Sequence, residues 1–152
     1  MNPSPEQHIF IEKVGRWWEV VGSRSAGRIL GWLMICEPAP RSAAQLTEEL
    51  QLSGGTVSTQ TTVLERVGFL ERVTFPGDRV TYYALPPNVW VELMKTESAR
   101  IQEMKDLADA GAGVIPVERP DRVEDLGRVA SFFLEDWPDT MERLMSYLKE
   151  RR

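Results

Sequence analysis

The sequence predicts a mainly α-helical protein with one small β-hairpin near its middle. Apolar residues recur at three- and four-residue steps through most of the chain, which is the spacing along one side of a helix. Residues 71–75 and 80–85 are instead rich in the β-branched and aromatic residues that strands prefer. Residues 76–79, Pro-Gly-Asp-Arg, lie between them and suit a tight turn. We therefore expect a hairpin within an otherwise helical chain.

Two helices open the chain. In residues 5–21 apolar side chains repeat at helical spacing, and Gly22 and Ser23 then provide a stop and a new cap. Residues 25–36 form a second, almost wholly apolar helix that we expect to be buried. The two prolines in residues 37–40 end this helix, because a proline removes a helical hydrogen bond.

A pair of shorter helices separated by a brief turn precedes the hairpin. Ser42 is followed three residues later by Gln45, a capping-box pattern that opens a helix running through Leu50. Ser53 then caps a second helix of about residues 54–67. A helix, a turn, a second helix and a hairpin in this order are the outline of a winged helix-turn-helix, which places one helix in the DNA major groove.

The second helix of the pair has two contrasting sides. Val57, Thr61 and Leu64 share one side, and the other side carries mainly hydroxyl groups. Serine and threonine are mediocre helix formers. Their number on the outward side of this helix therefore indicates that they serve a purpose other than helix stability. Contact with a polar polymer such as DNA would explain that choice.

Two long helices follow the hairpin. The first covers about residues 89–110, and a break at residues 111–113 or at residues 116–120 precedes the second. Pro138 should kink or restart this last helix. We expect a single domain of residues 1–152, in which residues 24–86 form the winged helix-turn-helix and residues 5–22 and 88–150 form a dimerisation body.

The net charge of −5 argues against DNA binding, because DNA-binding domains are usually basic. Up to Leu85 the chain carries 8 Lys and Arg against 9 Asp and Glu, and the remainder carries 10 against 14. The winged segment is therefore almost neutral. We expect its nonspecific affinity for DNA to be modest and salt-sensitive, so that tight binding needs two paired modules.

The rarity of cysteine and histidine excludes several classes of protein. Cys36 is the single cysteine, so the chain cannot form an internal disulfide. His8 is the single histidine, so no Cys/His zinc pattern can be assembled. It lies in a polar N-terminal segment, and no serine has a glycine elbow nearby, which argues against a Ser-His-Asp triad. The chain shows neither a leader pattern nor an apolar run long enough to span a bilayer. We expect a cytoplasmic protein that is not an enzyme and that uses no cofactor or metal.

Residues 56–73, TVSTQTTVLERVGFLERV, and residues 77–85, GDRVTYYAL, resemble the recognition helix and the wing of MarR-type winged-helix regulators, and more closely of their GbsR-like branch. The resemblance in layout covers nearly the whole chain. It implies dimers held by N- and C-terminal helices, near-palindromic operators and, in many members, a small ligand that changes DNA affinity. One departure is that members often place Arg or Lys in the recognition helix, where this chain has Thr59 and no cation before Arg66.

The candidate DNA contacts are hydroxyl groups and arginines of the winged segment. Hydroxyls can bond phosphates or base edges, threonine methyls can pack on thymine methyls, and a wing-tip arginine can enter the minor groove. The alternatives are a solvated, capped helix, a turn arginine paired with Asp78, and an ordinary helix cap at residues 41–42. The predicted contacts are Arg41, Ser42, Ser53, Thr56, Ser58, Thr59, Thr62 and Arg79.

The terminal helices carry apolar stripes with too little core of their own to cover them. A homodimer would bury these stripes, and the predicted interface residues are Phe10, Val14, Trp17, Ile101, Phe133 and Trp137.

The five tryptophans also admit an aromatic cage for a quaternary ammonium effector, but core or interface positions explain them better. Cys36 is better explained as a buried apolar residue than as an oxidation sensor.

The sequence thus predicts a homodimeric, sequence-specific transcriptional regulator that acts as a repressor on a near-palindromic operator, with a small-molecule effector as an added option. The alternative is a protein-interaction module on a winged-helix scaffold that has lost DNA binding. The charge of −5 supports that alternative.

Overall fold

A computed structural model describes residues 2–114 and 120–151, apart from the side chain of Arg122. Within these residues the chain forms six helices and a three-stranded antiparallel sheet, which confirms the predicted mainly helical fold with a small β-hairpin. The elements are α1 (Pro5–Trp18), α2 (Arg24–Leu33), β1 (Arg41–Ser42), α3 (Ala43–Leu50), α4 (Gly54–Arg66), β2 (Glu71–Val73), β3 (Tyr82–Ala84), α5 (Val89–Ala112) and α6 (Asp121–Glu150).

The chain divides into two compact units, Met1–Val89 and Trp90–Arg152. The first unit contains α1 to α4 and the sheet, and the second contains α5 and α6. Helix α1, which we had assigned to the dimerisation body, packs closely on α2 within the first unit. The assignment of residues 1–152 to one domain stays a prediction.

Glycines allow α1 and α2 to pack closely. A Cβ placed on Gly27 would lie 2.6 Å from the Cβ of Trp18 and 2.8 Å from the Cα of Gly15. A Cβ on Gly31 would lie 3.2 Å from the Cα of Ile11. Ile11, Ile29 and Leu30 are completely buried, so this crossing is part of the core of the first unit.

The predicted caps of the helix pair are present. The Ser42 side chain accepts a hydrogen bond from the Gln45 amide while the Gln45 side chain accepts one from the Ser42 amide, which completes the capping box of α3. The Ser53 side chain accepts from the Thr56 amide at the start of α4. Since these bonds satisfy orphan amides at both helix starts, local sequence is sufficient to place them.

The sheet contains one strand more than the sequence predicts. Its order is β1-β3-β2, with Arg72 and Arg41 on either side of Tyr83. Strand β1 has two residues and no alternating pattern of its own, so it exists only because β3 supplies a partner.

The two C-terminal helices differ from the prediction at their ends. Helix α5 continues through Gly111 to Ala112, so the break begins at Gly113, and most of the alternative break at residues 116–120 lies outside the described residues. Helix α6 runs without interruption through Pro138, so the predicted restart there is wrong. Within the second unit, a Cβ on Gly127 would lie 3.2 Å from the Cβ of Ala108, which shows that α5 and α6 meet at small residues.

None of the described helices is long and apolar enough to cross a membrane.

The contact between α1 and α2 leads to a stability prediction. We expect Gly27→Ala to lower the free energy of unfolding by about 1–3 kcal/mol, because the new methyl group would overlap Trp18 and backbone atoms of α1. Urea unfolding followed by circular dichroism measures this change. Gly54→Ala is the matched control, since a Cβ there would have no neighbour within 4 Å. A Gly27→Ala variant as stable as the control would contradict the close packing of the two helices.

Candidate nucleic-acid interface

Helix α4 is held in place by its inner side. Val57, Thr61 and Leu64 are buried, and the Thr61 hydroxyl donates to the Val57 carbonyl at 2.8 Å, so even the polar member of this side is satisfied internally. The helix ends at Arg66 with Val67 as its C-cap, and the next residue, Gly68, adopts a φ of +83°. The amides of Gly68 and Phe69 donate to the carbonyls of Glu65 and Leu64, the two bonds of a Schellman motif. This ending turns the chain directly into the hairpin.

Two contacts from α2 reach the helix pair. The Ser23 hydroxyl donates to the side-chain oxygen of Gln60 on α4 at 2.7 Å. The Arg28 guanidinium donates to the carbonyl of Leu50, the last residue of α3, at 2.9 Å, and its Nε lies 2.8 Å from the Glu12 carboxylate on α1. The N-terminal helices therefore brace both members of the pair.

The outer side of α4 is the predicted hydroxyl surface. Ser58, Thr59 and Thr62 are exposed, whereas Thr56 is half-buried, and its hydroxyl lies 2.8 Å from that of Ser53. The Thr62 hydroxyl donates to the Ser58 carbonyl at 2.8 Å. The Thr59 hydroxyl makes no hydrogen bond to any part of the protein that the structure describes, and it is available to an external partner.

Arg41 is buried, which contradicts its prediction as an accessible DNA contact. Its side chain is 2% exposed, and its Nε lies 3.0 Å from the carboxylate of Glu49. The rest of the guanidinium donates to backbone carbonyls of residues 37, 38 and 40, so that no donor is directed to solvent. Ser42 is also buried and serves as the cap of α3, which is the alternative that the sequence left open.

The surroundings of Arg41 form a buried polar cluster. The Trp32 indole N–H donates to Glu49 at 2.6 Å, and the Arg41 guanidinium lies over the Trp32 ring at 5.7 Å from its centroid. The Cys36 thiol donates to the Ala39 carbonyl. Burial raises the pKa of this thiol, and the nearby positive charge of Arg41 does not reverse the effect. Cys36 is therefore a buried thiol, as expected, and its protonated form is unreactive.

The wing tip is a tight turn with its own hydrogen bonds. The Asp78 amide donates to the Phe75 carbonyl, and Gly77 supplies the positive φ, +83°, that the third position of such a turn requires. The Asp78 carboxylate accepts from the Val80 amide at 2.8 Å and from the Tyr82 hydroxyl at 2.9 Å. The ring of Tyr82 also packs edge-on against Phe75. Asp78 is thus used to shape the turn, and Arg79 is exposed without an ion pair to any described residue.

Only some of the cations in the winged segment are available to a phosphate. Arg41 is buried, and Arg72 forms a 2.7 Å ion pair with Glu65. Arg66, in the last turn of α4, and Arg79, on the wing, are exposed and have no ion pair among the described residues. Arg66 is absent from the contacts that the sequence predicts. Its place in the last turn of a helix with a hydroxyl side was the available signal.

Comparison with known proteins identifies the family. The sequence model of the MarR family matches residues 23–79, and that of MmpR5-like MarR family transcriptional regulators matches residues 88–146. The chain is similar to the HTH-type transcriptional regulator MmpR5 of Mycobacterium tuberculosis, with 33% identity over 147 residues, which are 94% of this chain and 89% of that protein. The chain belongs to the MarR family. It also resembles a crystal structure titled as a transcriptional regulator, with 32% identity, a TM-score of 0.79 and coverage of 93% of this chain and 99% of that one.

Membership of the MarR family makes this chain a transcriptional regulator and not an enzyme. The predicted family is confirmed together with the winged helix-turn-helix, since the match to the MarR family covers α2 to the wing tip. The predicted GbsR-like branch is not confirmed, because the branch that matches is MmpR5-like.

The predicted dimer-interface residues of this MarR-family chain are all at least partly accessible. Trp17 and Phe133 are exposed, at 57% and 47%, and Phe10, Val14, Ile101 and Trp137 are half-buried. Helix α6 exposes further large apolar side chains, namely Val129, Phe132, Met145 and Tyr147. Trp18 and Trp32, by contrast, are buried, and Trp18 packs edge-on against Phe69 at 4.8 Å. The two buried tryptophans belong to the core of the first unit.

The hydrogen bonds of the wing predict the titration of Asp78. They hold the pKa of Asp78 below its ordinary value, through the Val80 amide first and the Tyr82 hydroxyl second, and they raise the pKa of Tyr82, mainly through its bond to Asp78. At pH values above the Asp78 pKa of the unfolded chain, the lowered pKa in the folded chain contributes stability to the turn. This stability is lost as the pH falls through the Asp78 pKa of the folded chain. The raised pKa of Tyr82 contributes stability at pH values below the Tyr82 pKa of the unfolded chain, and this stability is lost as the pH rises through the Tyr82 pKa of the folded chain.

We expect Tyr82→Phe to raise the Asp78 pKa without restoring its ordinary value, because the Val80 amide remains. Carbon-detected NMR titration of the Asp78 carboxyl measures the change. Tyr83→Phe, which removes a neighbouring hydroxyl that does not bond Asp78, is the control and should leave the titration unchanged. An Asp78 pKa equal in the wild type and Tyr82→Phe would rule out the hydrogen bond in solution.

Proposed function

We propose that this MarR-family chain is a sequence-specific DNA-binding repressor that acts in the cytoplasm as a homodimer on a near-palindromic operator. One observation supports this proposal above the others. The outer side of α4 combines exposed hydroxyls at Ser58, Thr59 and Thr62 with Arg66 at its end, and Arg79 is exposed on the wing. Neither arginine is neutralised by a described residue, although other arginines of the same segment are.

Each part of this surface suits a different part of the duplex. Hydroxyls can donate to or accept from base edges, and the methyl groups of Thr59 and Thr62 can pack on thymine methyls in the major groove. Arg66 can meet a phosphate at the groove wall, which fixes position without reading sequence. Arg79 is placed on a rigid turn that can enter the adjacent minor groove.

A homodimer would pair two such surfaces. The exposed apolar side chains of α6 and of Trp17 on α1 are more than a monomer of this size usually leaves in water. Two-fold symmetry then places two recognition helices about 34 Å apart, in successive major grooves of one side of the duplex. Repression follows from occupancy alone, since a bound dimer on a promoter excludes the polymerase.

A small-molecule effector is the remaining part of the proposal. The second unit contains a groove of about 610 Å³ between α5 and α6, lined among others by Lys105, Ala108, Glu124, Gly127 and Phe132. Its volume lies in the range of small-ligand sites. An effector that changed the arrangement of the terminal helices would change the spacing of the two recognition helices, and with it the affinity for DNA.

Binding to the chain's own upstream DNA tests the proposed function. We expect the purified protein to footprint a near-palindromic segment there and to bind a scrambled duplex of equal length far more weakly. With Arg66 of both chains on phosphates and Arg79 of both chains in the minor groove between phosphates, four cations displace counterions. The affinity should then fall by about 100-fold between about 50 and about 200 mM salt, for a slope of about −3.6. Equal, weak and salt-insensitive binding to both duplexes would instead support a protein-interaction module.

The introduction of negative charge on α4 tests the assignment of the surface. We expect Thr59→Glu combined with Thr62→Glu to weaken operator binding by about 100-fold or more, because two carboxylates would enter the major groove of a negatively charged duplex. Thr96→Glu with Ala99→Glu adds the same charge at the same spacing on exposed positions of α5 and is the matched control. Mobility shift gives the affinity, and light scattering checks that the oligomeric state is kept. Wild-type affinity in the α4 variant would refute the assignment.

A further inference from the structure

We propose that the buried pair of Arg41 and Glu49 sets the position of the wing relative to the recognition helix α4, and so acts as a positioning device for DNA binding. The proposal rests on the DNA-binding function proposed above. It assigns a role in binding to two residues that the operator never touches, since Arg41 is 2% exposed and Glu49 is 4% exposed.

Arg41 belongs to the sheet that carries the wing. It lies in β1 and pairs across the ladder with Tyr83 of β3, the outgoing strand of the wing. Any displacement of Arg41 is therefore transmitted to β3 through backbone hydrogen bonds. The wing tip with Arg79 lies only a few residues before β3 in the chain.

Glu49 belongs to the helix pair that carries the recognition surface. It lies in the last turn of α3, and its carboxylate accepts from Arg41 Nε through both oxygens, at 3.2 and 3.0 Å. The same carboxylate accepts the Trp32 indole N–H of α2. Helix α3 packs directly on α4. The carboxylate is thus the point at which α2, the helix pair and the wing sheet are joined.

Stability alone does not explain a charged pair at this point. Two ions that are moved out of water lose hydration free energy, and their mutual attraction does little more than offset this loss. Apolar residues of equal volume often stabilise a protein as well or better. An arginine fork differs from an apolar contact in being directional, because its planar donors accept only a narrow range of partner positions. Here the fork is held by Glu49 on one side and by the carbonyls of Glu37 and Pro38 on the other. The guanidinium can therefore fix an orientation that an apolar contact would not specify.

The variant that tests this role removes both charges together. Arg41→Met combined with Glu49→Gln keeps side-chain volume, leaves no unpaired charge, and retains an amide oxygen for the Trp32 N–H. Arg41→Lys is the second variant; it keeps the charge and loses the planar fork. Glu92→Gln combined with Lys95→Met is the matched control, since it removes an exposed ion pair from α5.

Two duplexes distinguish positioning from a general loss of fold. One spans the wild-type footprint on the upstream DNA, and the other is shortened at each end by about half a helical turn, 5 base pairs, to remove the sites of the wings. We expect wild type and control to lose about tenfold in affinity on the shortened duplex, as for a lost arginine contact. We expect the double variant to bind both duplexes alike, at the affinity of wild type for the short one. Arg41→Lys should lie between.

The possible failures are distinguishable. A double variant that is folded by circular dichroism and keeps the wild-type preference for the long duplex overturns the positioning role. If it does not fold, the result for Arg41→Lys decides in the same way. A wild-type protein without a specific footprint overturns the proposed function itself, and a measurement without DNA then decides the positioning.

That measurement is the distance between spin labels at Thr59→Cys on α4 and Arg79→Cys on the wing, with labelled chains diluted into unlabelled protein. Cys36 is buried and stays unlabelled in the native fold. We expect a narrow distribution in the otherwise wild-type protein and a broader or shifted one once Arg41 and Glu49 are replaced. Identical distributions would overturn the proposal irrespective of DNA binding.

Discussion

The buried contact between Arg41 and Glu49 is the constraint on which the rest of the winged segment depends. Three elements that follow one another in the chain meet at it: α2 through Trp32, β1 of the wing sheet through Arg41 and α3 through Glu49. A buried charge tolerates little displacement, because an ion that loses its partner inside a protein has no water to replace it. The helix pair and the wing are therefore held as one unit in spite of their small size.

The winged segment places its few cations in different environments. Arg41 lies in the interior, Arg24 and Arg28 pair with Glu12, and Arg72 pairs with Glu65. The two that remain, Arg66 and Arg79, lie at the end of the recognition helix and on the wing. A nearly neutral segment can in this way present positive charge at two chosen places. Its overall charge is consequently a poor guide to what its surface can bind.

The parts of the fold that the sequence predicts are those with a local cause. The starts of α3 and α4 follow from Ser42 and Ser53, whose hydroxyls satisfy amides three residues away. The turn of the wing follows from a proline and glycine that suit its two central positions. The buried and exposed sides of α4 follow from helical spacing alone. One difference has a distant cause, since β1 needs β3 as its partner. At Pro138 the local rule predicts a kink or a restart, and α6 continues through this residue without a restart.

The sequence by itself determined the order of the elements, the two sides of the recognition helix and the family, because each depends on residues within a few positions of one another or on a matching run. Only the tertiary structure decided what the arginines do. A sequence shows that Arg41 begins a helix pair and that Arg79 ends a turn, and both then look equally available to DNA. The structure buries the first against Glu49, eight residues away, and leaves the second in solvent. The physical reason is that the environment of a charge is made by the elements that pack around it. The spacing of neighbouring residues in the sequence does not determine that packing.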